Sequence, residues 1–252
     1  MIAPRDIILE FIGLPGAGKT TLACALAAGL APDFDVALPG RGEYRRKKLT
    51  RADKLRLDAR SLAGLLPYRL ARLWHDIRVS GLGLWTVRNS WGQSRYPLVL
   101  LEHASRATRR VLVLDEWLLH HTIDESIRRY EASVAFACKF AIAPTPHYRK
   151  VYVCVNIDEA VARDRIVEQD QPFRAFAEGK NPHRIGEVLA LWHGQLHALK
   201  SEIVRRGLVL IEVDGNAPID TNVALLRQGL RQIAGTGAGA EGLPSRDLHW
   251  KS

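Results

Sequence analysis

The sequence has little cysteine, no long apolar run and no leader-like N-terminus. Its 252 residues include only three cysteines, Cys24, Cys138 and Cys154, which are too few and too far apart for a disulfide-stapled fold. We expect them to be reduced thiols in the core of a cytoplasmic protein. No apolar run reaches the roughly 18 residues that a membrane-spanning helix needs, and Asp6 and Glu10 interrupt the apolar stretch of any signal peptide. These absences favour a soluble globular protein.

The composition is that of a globular protein, but its positive charge is concentrated in one segment. Apolar residues make up 47% and charged residues 25% of the chain, whose net charge is +9. The segment from Arg41 to Arg78 contains twelve basic and four acidic residues, so its local net charge is +8. Leu70, Leu73, Trp74 and Ile77 recur there at helical spacing, as one apolar stripe. The segment is therefore expected to be helical and to face something anionic.

Short apolar runs alternate with helical patterns along the chain. Strands are expected at Ile7–Ile12, Phe34–Leu38, Val111–Leu114, Val151–Val155 and Leu208–Val213. Helices are expected at Thr20–Leu30, across most of 45–92, at Arg184–Arg206 and at Ile219–Ile233. The alternation predicts an α/β protein with a parallel sheet covered by helices on both faces. We expect one domain over 1–234 and a disordered Gly-rich tail over 235–252.

One motif identifies a nucleotide site. The run Gly13-Leu14-Pro15-Gly16-Ala17-Gly18-Lys19-Thr20 matches the pattern G-x-x-x-x-G-K-[ST], between an apolar strand and a helix. Glycines let backbone N–H groups cradle a phosphate, the lysine reaches the β- and γ-phosphates, and the Thr20 hydroxyl can bind Mg²⁺. We expect the Lys19 side chain to be exposed. The candidate residues for ATP binding are Gly13, Pro15, Gly16, Ala17, Gly18, Lys19, Thr20 and Thr21.

Two acidic residues follow the strand Val111–Leu114 directly. Ligands of an open parallel sheet gather at the carboxyl ends of its strands, so Asp115 and Glu116 are candidates for binding Mg²⁺ or accepting a proton. The alternative is a helix N-cap. Asp115 is favoured as metal ligand or base, with Glu116 second. Glu43, just past the second strand, is the next candidate base.

A second basic cluster follows the strand Val151–Val155. It consists of Arg163, Arg165, Arg174, Lys180 and Arg184 and surrounds a stretch containing proline and glycine. Loops that close over ATP supply such cations to the phosphoryl group in transfer. Arg174 and Lys180 are therefore candidate catalytic cations and Arg163 a candidate nucleotide contact. The alternative is an ordinary solvated loop.

These features together resemble the P-loop nucleoside and nucleotide kinases, with the thymidylate-kinase-like group as the nearest match. The features that carry the resemblance are the phosphate loop, Asp115, the arginine-bearing segment and the final Val213-Asp214-Gly215. The resemblance implies a five-stranded parallel sheet, a helical acceptor-binding region at about 41–92 and a lid at about 163–184. It also implies that Gly215 lies near the adenine.

The charge of the 41–78 segment, placed by this resemblance beside the acceptor cleft, predicts an anionic acceptor such as a phosphorylated nucleoside. Arg41, Arg45 and Arg46 are the expected acceptor contacts, together with Glu43. The rest of the segment is expected to be a solvated helix face. The leading prediction is therefore an ATP- and Mg²⁺-dependent kinase that acts on a small acceptor.

Two other functions stay open. One is a P-loop ATPase that binds nucleic acid through the basic segment. The other is binding at a membrane surface, because Trp74, Trp85 and Trp91 accompany the basic helices. The sequence has no Asn-Lys-x-Asp signature, which leans away from a GTPase. His193 and His197 have metal-ligand spacing on a helix, but no third ligand is evident.

Overall fold

A computed structural model of the chain describes residues 6–38, 81–93, 110–115, 148–168 and 182–235, with isolated positions between 50 and 78. The strands are β1 (Asp6–Gly13), β2 (Asp35–Ala37), β3 (Arg110–Leu114), β4 (Tyr148–Asn156) and β5 (Val209–Asp214). The helices are α1 (Lys19–Leu30), α2 (Leu84–Gln93), α3 (Glu159–Glu168), α4 (Pro182–Arg205) and α5 (Ile219–Gly235). This order confirms the predicted alternation of strands and helices.

The strands form one five-stranded parallel sheet in the order β2-β3-β1-β4-β5. The first strand is central, with Glu10 in register with Leu114 of β3 and with Tyr152 of β4. The order reverses at β1, and a ligand crevice forms at the carboxyl end of such a strand. The fold therefore brings the loop after β1 beside the residue that follows β3.

Helices cover both faces of the sheet, as the sequence predicts. On one face α1 and α5 pack against Leu9, Phe11 and the valines of β3 and β4. Helix α4 packs against β5 on the other face, where Lys200 contacts Glu212. A parallel sheet normally buries apolar residues on both faces, but this second face also buries Glu10 and Lys150.

The cysteine prediction is half right. Cys154 is fully buried in β4, whereas Cys24 is exposed on α1. Helix α1 buries Leu22, Ala23 and Leu26, so position 24 falls on the solvent side of the helix. Cys138 lies outside the described residues.

Several predicted regions fall wholly or partly outside the described residues. They are most of the 41–92 region, the greater part of the 163–184 segment, and the tail beyond Gly235. Within the 41–92 region, α2 is described and is a helix. The single-domain boundaries therefore stay a prediction. Within the described part of the chain, no helix has the length and apolar content needed to cross a membrane.

Candidate nucleotide-binding site

The loop between β1 and α1 is shaped by glycines in left-handed backbone conformations. Gly16 has φ 79° and Gly18 has φ 81°, values that side chains other than glycine rarely adopt. A Cβ at Gly16 would lie 2.7 Å from the carbonyl oxygen of Ala162 in α3. Around a Cβ at Gly18, in contrast, no described atom would lie within 4 Å. The loop is therefore packed against α3 at Gly16 and open at Gly18, where α1 begins and its N–H groups favour an anion.

Lys19 folds back over this loop. Its Nζ donates hydrogen bonds to Gly13 O at 3.0 Å and to Leu14 O at 2.8 Å, and the residue is only 6% exposed. The expectation of an exposed lysine is therefore wrong, because the short loop brings its own carbonyl groups within reach of the ammonium group. The loop thus holds a buried cation beside the open position at Gly18.

Thr20 meets Asp115 at the carboxyl edge of the sheet. Thr20 Oγ1 donates a hydrogen bond to Asp115 Oδ2 at 3.0 Å, and Asp115 is 8% exposed. The parallel pairing of β1 with β3 creates this contact, since it aligns the ends of both strands. Hydroxyl and carboxylate oxygens are the ligands that Mg²⁺ prefers. The pair that the sequence predicts as metal ligands is brought together, and the two side chains fit that ion.

Arg165 of α3 joins the phosphate loop to the turn after β5. Its Nη1 donates to Gly16 O at 3.5 Å and to Gly215 O at 3.3 Å, and its Nη2 lies 3.4 Å from Gly215 O. Arg163, the predicted nucleotide contact, pairs with its neighbour Asp164 at 3.4 Å on the protein surface. The sequence alone does not distinguish the two arginines. They are two residues apart on α3, so their side chains point in different directions, and only Arg165 points toward the phosphate loop.

The turn after β5 is tied to β4 by a backbone hydrogen bond and to α5 by a side chain. Gly215 N donates to Asn156 O at 2.7 Å, and Asn222 Nδ2 donates to Asp214 O at 2.7 Å. A Cβ at Gly215 would lie 3.3 Å from Ala17 O, so this turn touches the phosphate loop. That Gly215 lies near the adenine stays a prediction. Thr21 is exposed on the first turn of α1, and Pro15 is buried.

A polar network that the sequence patterns do not predict joins α4 to β4 and β5, next to this turn. Lys200 of α4 forms an ion pair with Glu212 of β5 and donates to Asn156 Oδ1 at 3.3 Å. Asn156 Nδ2 in turn donates to Glu212 at 2.9 Å, and the Cys154 Sγ contacts Asn156 Oδ1 at 3.4 Å. The network fixes α4 to the strands that carry the Gly215 turn.

Burial perturbs three titratable groups on this face of the sheet. Burial lowers the pKa of Lys150 to about 8, with the charge of Glu10 opposing that effect. Burial raises the pKa of the Cys154 thiol to about 12. The pKa of Tyr152 is also raised well above its usual value, first by burial and then by the negative charge of Glu10.

Several predicted site residues lie outside the described residues and stay predictions. They are Glu116, Arg174, Lys180, Glu43, Arg41, Arg45 and Arg46. Of the helical histidines, His193 pairs with Glu159 at 2.7 Å. The described residues contain no group of three or more histidine, cysteine or acidic side chains placed to hold a metal ion.

The five-stranded parallel sheet, with the phosphate loop after its central strand, matches the α/β fold of P-loop kinases. A solved deoxyadenosine kinase from M. mycoides with bound dATP is similar in structure. The TM-score is 0.50 and the identity 10%, over 89% of this chain and 100% of that one. No protein-family model and no curated protein matches the chain. The comparison therefore supports the fold, and it gives no support to the thymidylate-kinase-like group in particular.

Proposed function

We propose that the protein is an ATP-dependent kinase that transfers the γ-phosphoryl group to a small acceptor such as a nucleoside or nucleotide. The observation that carries the proposal is the convergence of Lys19, Thr20 and Asp115 at the carboxyl edge of β1 and β3. This arrangement combines a cradle for phosphates, a cation and two oxygen ligands, which are the parts that phosphoryl transfer requires.

The loop and its cation would bind the phosphates of ATP. Lys19 would exchange its hydrogen bonds to Gly13 O and Leu14 O for phosphate oxygens, which leaves the ammonium group paired in both states. Thr20 and Asp115 would hold Mg²⁺, which neutralises charge on the phosphates when bound. In the alternative role, Asp115 would instead be the base that accepts the acceptor's proton.

The two proposed kinds of acceptor have one support each. The structurally similar protein is a deoxyadenosine kinase, which favours a nucleoside, and the 41–78 segment has a net charge of +8, which favours an anionic acceptor such as a phosphorylated nucleoside. Arg41, Arg45, Arg46 and Glu43 remain the proposed acceptor contacts. Arg174 and Lys180 remain the proposed cations of the transition state.

Phosphate transfer from γ-labelled ATP tests the proposal directly. The protein would be incubated with Mg·ATP and a panel of nucleosides, nucleoside monophosphates and sugars, and the labelled products separated. We expect one class of acceptor to become labelled and the labelling to disappear in Lys19→Ala. Asp220→Asn, which changes an exposed acid at the start of α5, serves as the matched control and should keep full activity.

ATP hydrolysis measured with and without nucleic acid separates the second candidate function. If DNA or RNA stimulates hydrolysis and no small acceptor becomes labelled, the kinase proposal is wrong and the protein is a nucleic-acid-dependent ATPase. The salt dependence of binding adds an independent criterion, since a polyanion releases many counterions and a small acceptor few.

A further inference from the structure

We propose that an exposed edge of the helical region docks the protein on an anionic lipid surface. This edge, called the Leu70–Arg88 edge, consists of Leu70, Trp74, Arg78, Leu82, Leu84 and Arg88. The proposal goes beyond phosphoryl transfer and is independent of it, because it concerns binding by residues distant in sequence from the phosphate loop.

The edge exposes large apolar side chains to an unusual degree. The exposed fractions are 51% for Leu70, 60% for Trp74, 81% for Leu82 and 92% for Leu84. Outside residues 55–84, the exposed large apolar side chains of the described chain reach only 43%. Single exposed apolar residues are ordinary, but several close together in the chain mark an interaction site.

The local geometry places Leu70, Trp74 and Arg78 on one side. Positions 70, 74 and 78 are helical and four residues apart, so they share a face. The Arg78 guanidinium lies 5.2 Å from the centre of the Trp74 ring, which confirms that shared face. Leu73 and Ile77, which belong to the same stripe at helical spacing, are half-buried. The apolar stripe expected from the sequence therefore has Leu70 and Trp74 exposed and its other two members partly covered.

Exposed residues of the same two kinds follow around the start of α2. Gly81, with φ 81°, donates its backbone N–H to Ile77 O at 2.8 Å, and Leu82 and Leu84 come next in the sequence. Arg88 lies four residues after Leu84 on α2 and is exposed as well. Trp74 and Leu84 are thus each followed by an exposed arginine four residues later.

The charge of this region is one-sided. Between positions 69 and 93 the sequence has four arginines and one acid, and that acid, Asp76, is buried. Apolar and tryptophan side chains that enter the lipid boundary, next to arginines that reach anionic headgroups, are typical of surface-bound amphipathic helices.

Lipid fits this edge better than two other occupants. A second copy of the chain related by two-fold symmetry would place the same positive surface against itself. A nucleic acid would pair with the arginines through its phosphates, but it would leave Leu82 and Leu84 in water. An anionic bilayer accepts both the charge and the apolar side chains.

Vesicle co-sedimentation of the full chain tests the proposal. We expect binding to vesicles of phosphatidylcholine mixed with phosphatidylglycerol to be about tenfold tighter than to phosphatidylcholine alone. Trp74→Ser and Leu84→Ser should each weaken binding about tenfold, and Arg78→Gln about fivefold. Matched changes on α4, Leu191→Ser and Arg205→Gln, should leave it unchanged. These positions are exposed, so circular dichroism and the ATP-induced thermal shift should not change in any variant.

Three outcomes would overturn the proposal. The first is absent binding to the anionic vesicles, or edge variants that bind them as well as the parent does. The second is salt-sensitive binding to RNA or DNA that Trp74→Ser abolishes, which would assign the edge to nucleic acid. The third is a dimer in sedimentation velocity that the same variant dissociates, which would assign it to a second copy. Because none of these measurements depends on an acceptor, they leave the kinase proposal to its own test.

Discussion

Thr20 Oγ1 donates a hydrogen bond to Asp115 Oδ2 at 3.0 Å, across 95 positions of the sequence. One residue belongs to the phosphate loop and the other to the end of a strand whose register with β1 is fixed over four residue pairs. The contact unites the two motifs that the sequence shows separately. It is also the contact that makes the following changes informative.

Asp115→Asn should abolish most phosphoryl transfer. The change keeps the shape of the side chain and removes the charge, so turnover should fall by about 10²–10⁴-fold, the usual range for a lost general base. Glu116→Gln should cost less. Steady-state kinetics on both variants check this ranking, and the reverse order would transfer the role to Glu116.

Lys19→Ala should remove nucleotide binding and also reduce stability. The ammonium group donates to two backbone carbonyl groups, and leaving them unpaired should cost about 1–3 kcal/mol of unfolding free energy. Thermal-shift titration with Mg·ATP should show a lower starting Tm and no increase with ATP. A variant that gains as much stability from Mg·ATP as the parent would show that Lys19 does not bind the phosphates.

Arg165→Ala should weaken ATP binding more than Arg163→Ala. Arg165 joins Gly16 O to Gly215 O, whereas Arg163 pairs with Asp164 on the surface. We expect about a tenfold rise in the ATP Kd for Arg165→Ala, equal to about 1.4 kcal/mol. Calorimetric titration of both variants measures this difference. A larger effect at Arg163 would instead support its predicted role as the nucleotide contact.

Lys200→Met should destabilise the fold by about 1–3 kcal/mol, since Glu212 would lose a charged partner in a partly buried position. Arg205→Gln is the matched control, because Arg205 forms an exposed ion pair with Glu202 on the same helix, and such pairs contribute less than about 1 kcal/mol. Urea denaturation of both variants gives the comparison. Equal losses would show that the Lys200 network adds no more than a surface pair.

The contribution of Cys154 to stability should fall as the pH rises from about 9 to about 12. The Cys154 thiol has a pKa of about 12 in the folded protein, against 9.0 for the free group. The unfolded chain therefore releases this proton first, and the Cys154 contribution drops by up to about 1.4 kcal/mol per pH unit. Cys154→Ala removes this component, so its denaturation midpoint should depend less steeply on pH in that range. Parallel pH profiles of the parent and the variant would contradict the prediction.

Local patterns were enough to predict the class of fold and the phosphate loop. The strand Ile7–Ile12 and the helix Thr20–Leu30 agree with β1 and α1 to within one residue at either end. Apolar periodicity determines such elements directly. Cys24 shows the limit of that reasoning, because the choice between the core and solvent depends on the phase with which α1 meets the sheet.

The amino-acid sequence by itself determined that β1 ends in a phosphate loop and that Asp115 follows an apolar strand, because both are properties of neighbouring residues. Only the tertiary structure decided that Thr20 contacts Asp115, that Arg165 rather than Arg163 reaches Gly215, and that Trp74 faces solvent. Strand order and helix phase set these relationships. They depend on the free energy of packing between segments that are distant in the sequence, so no single segment of the chain determines them.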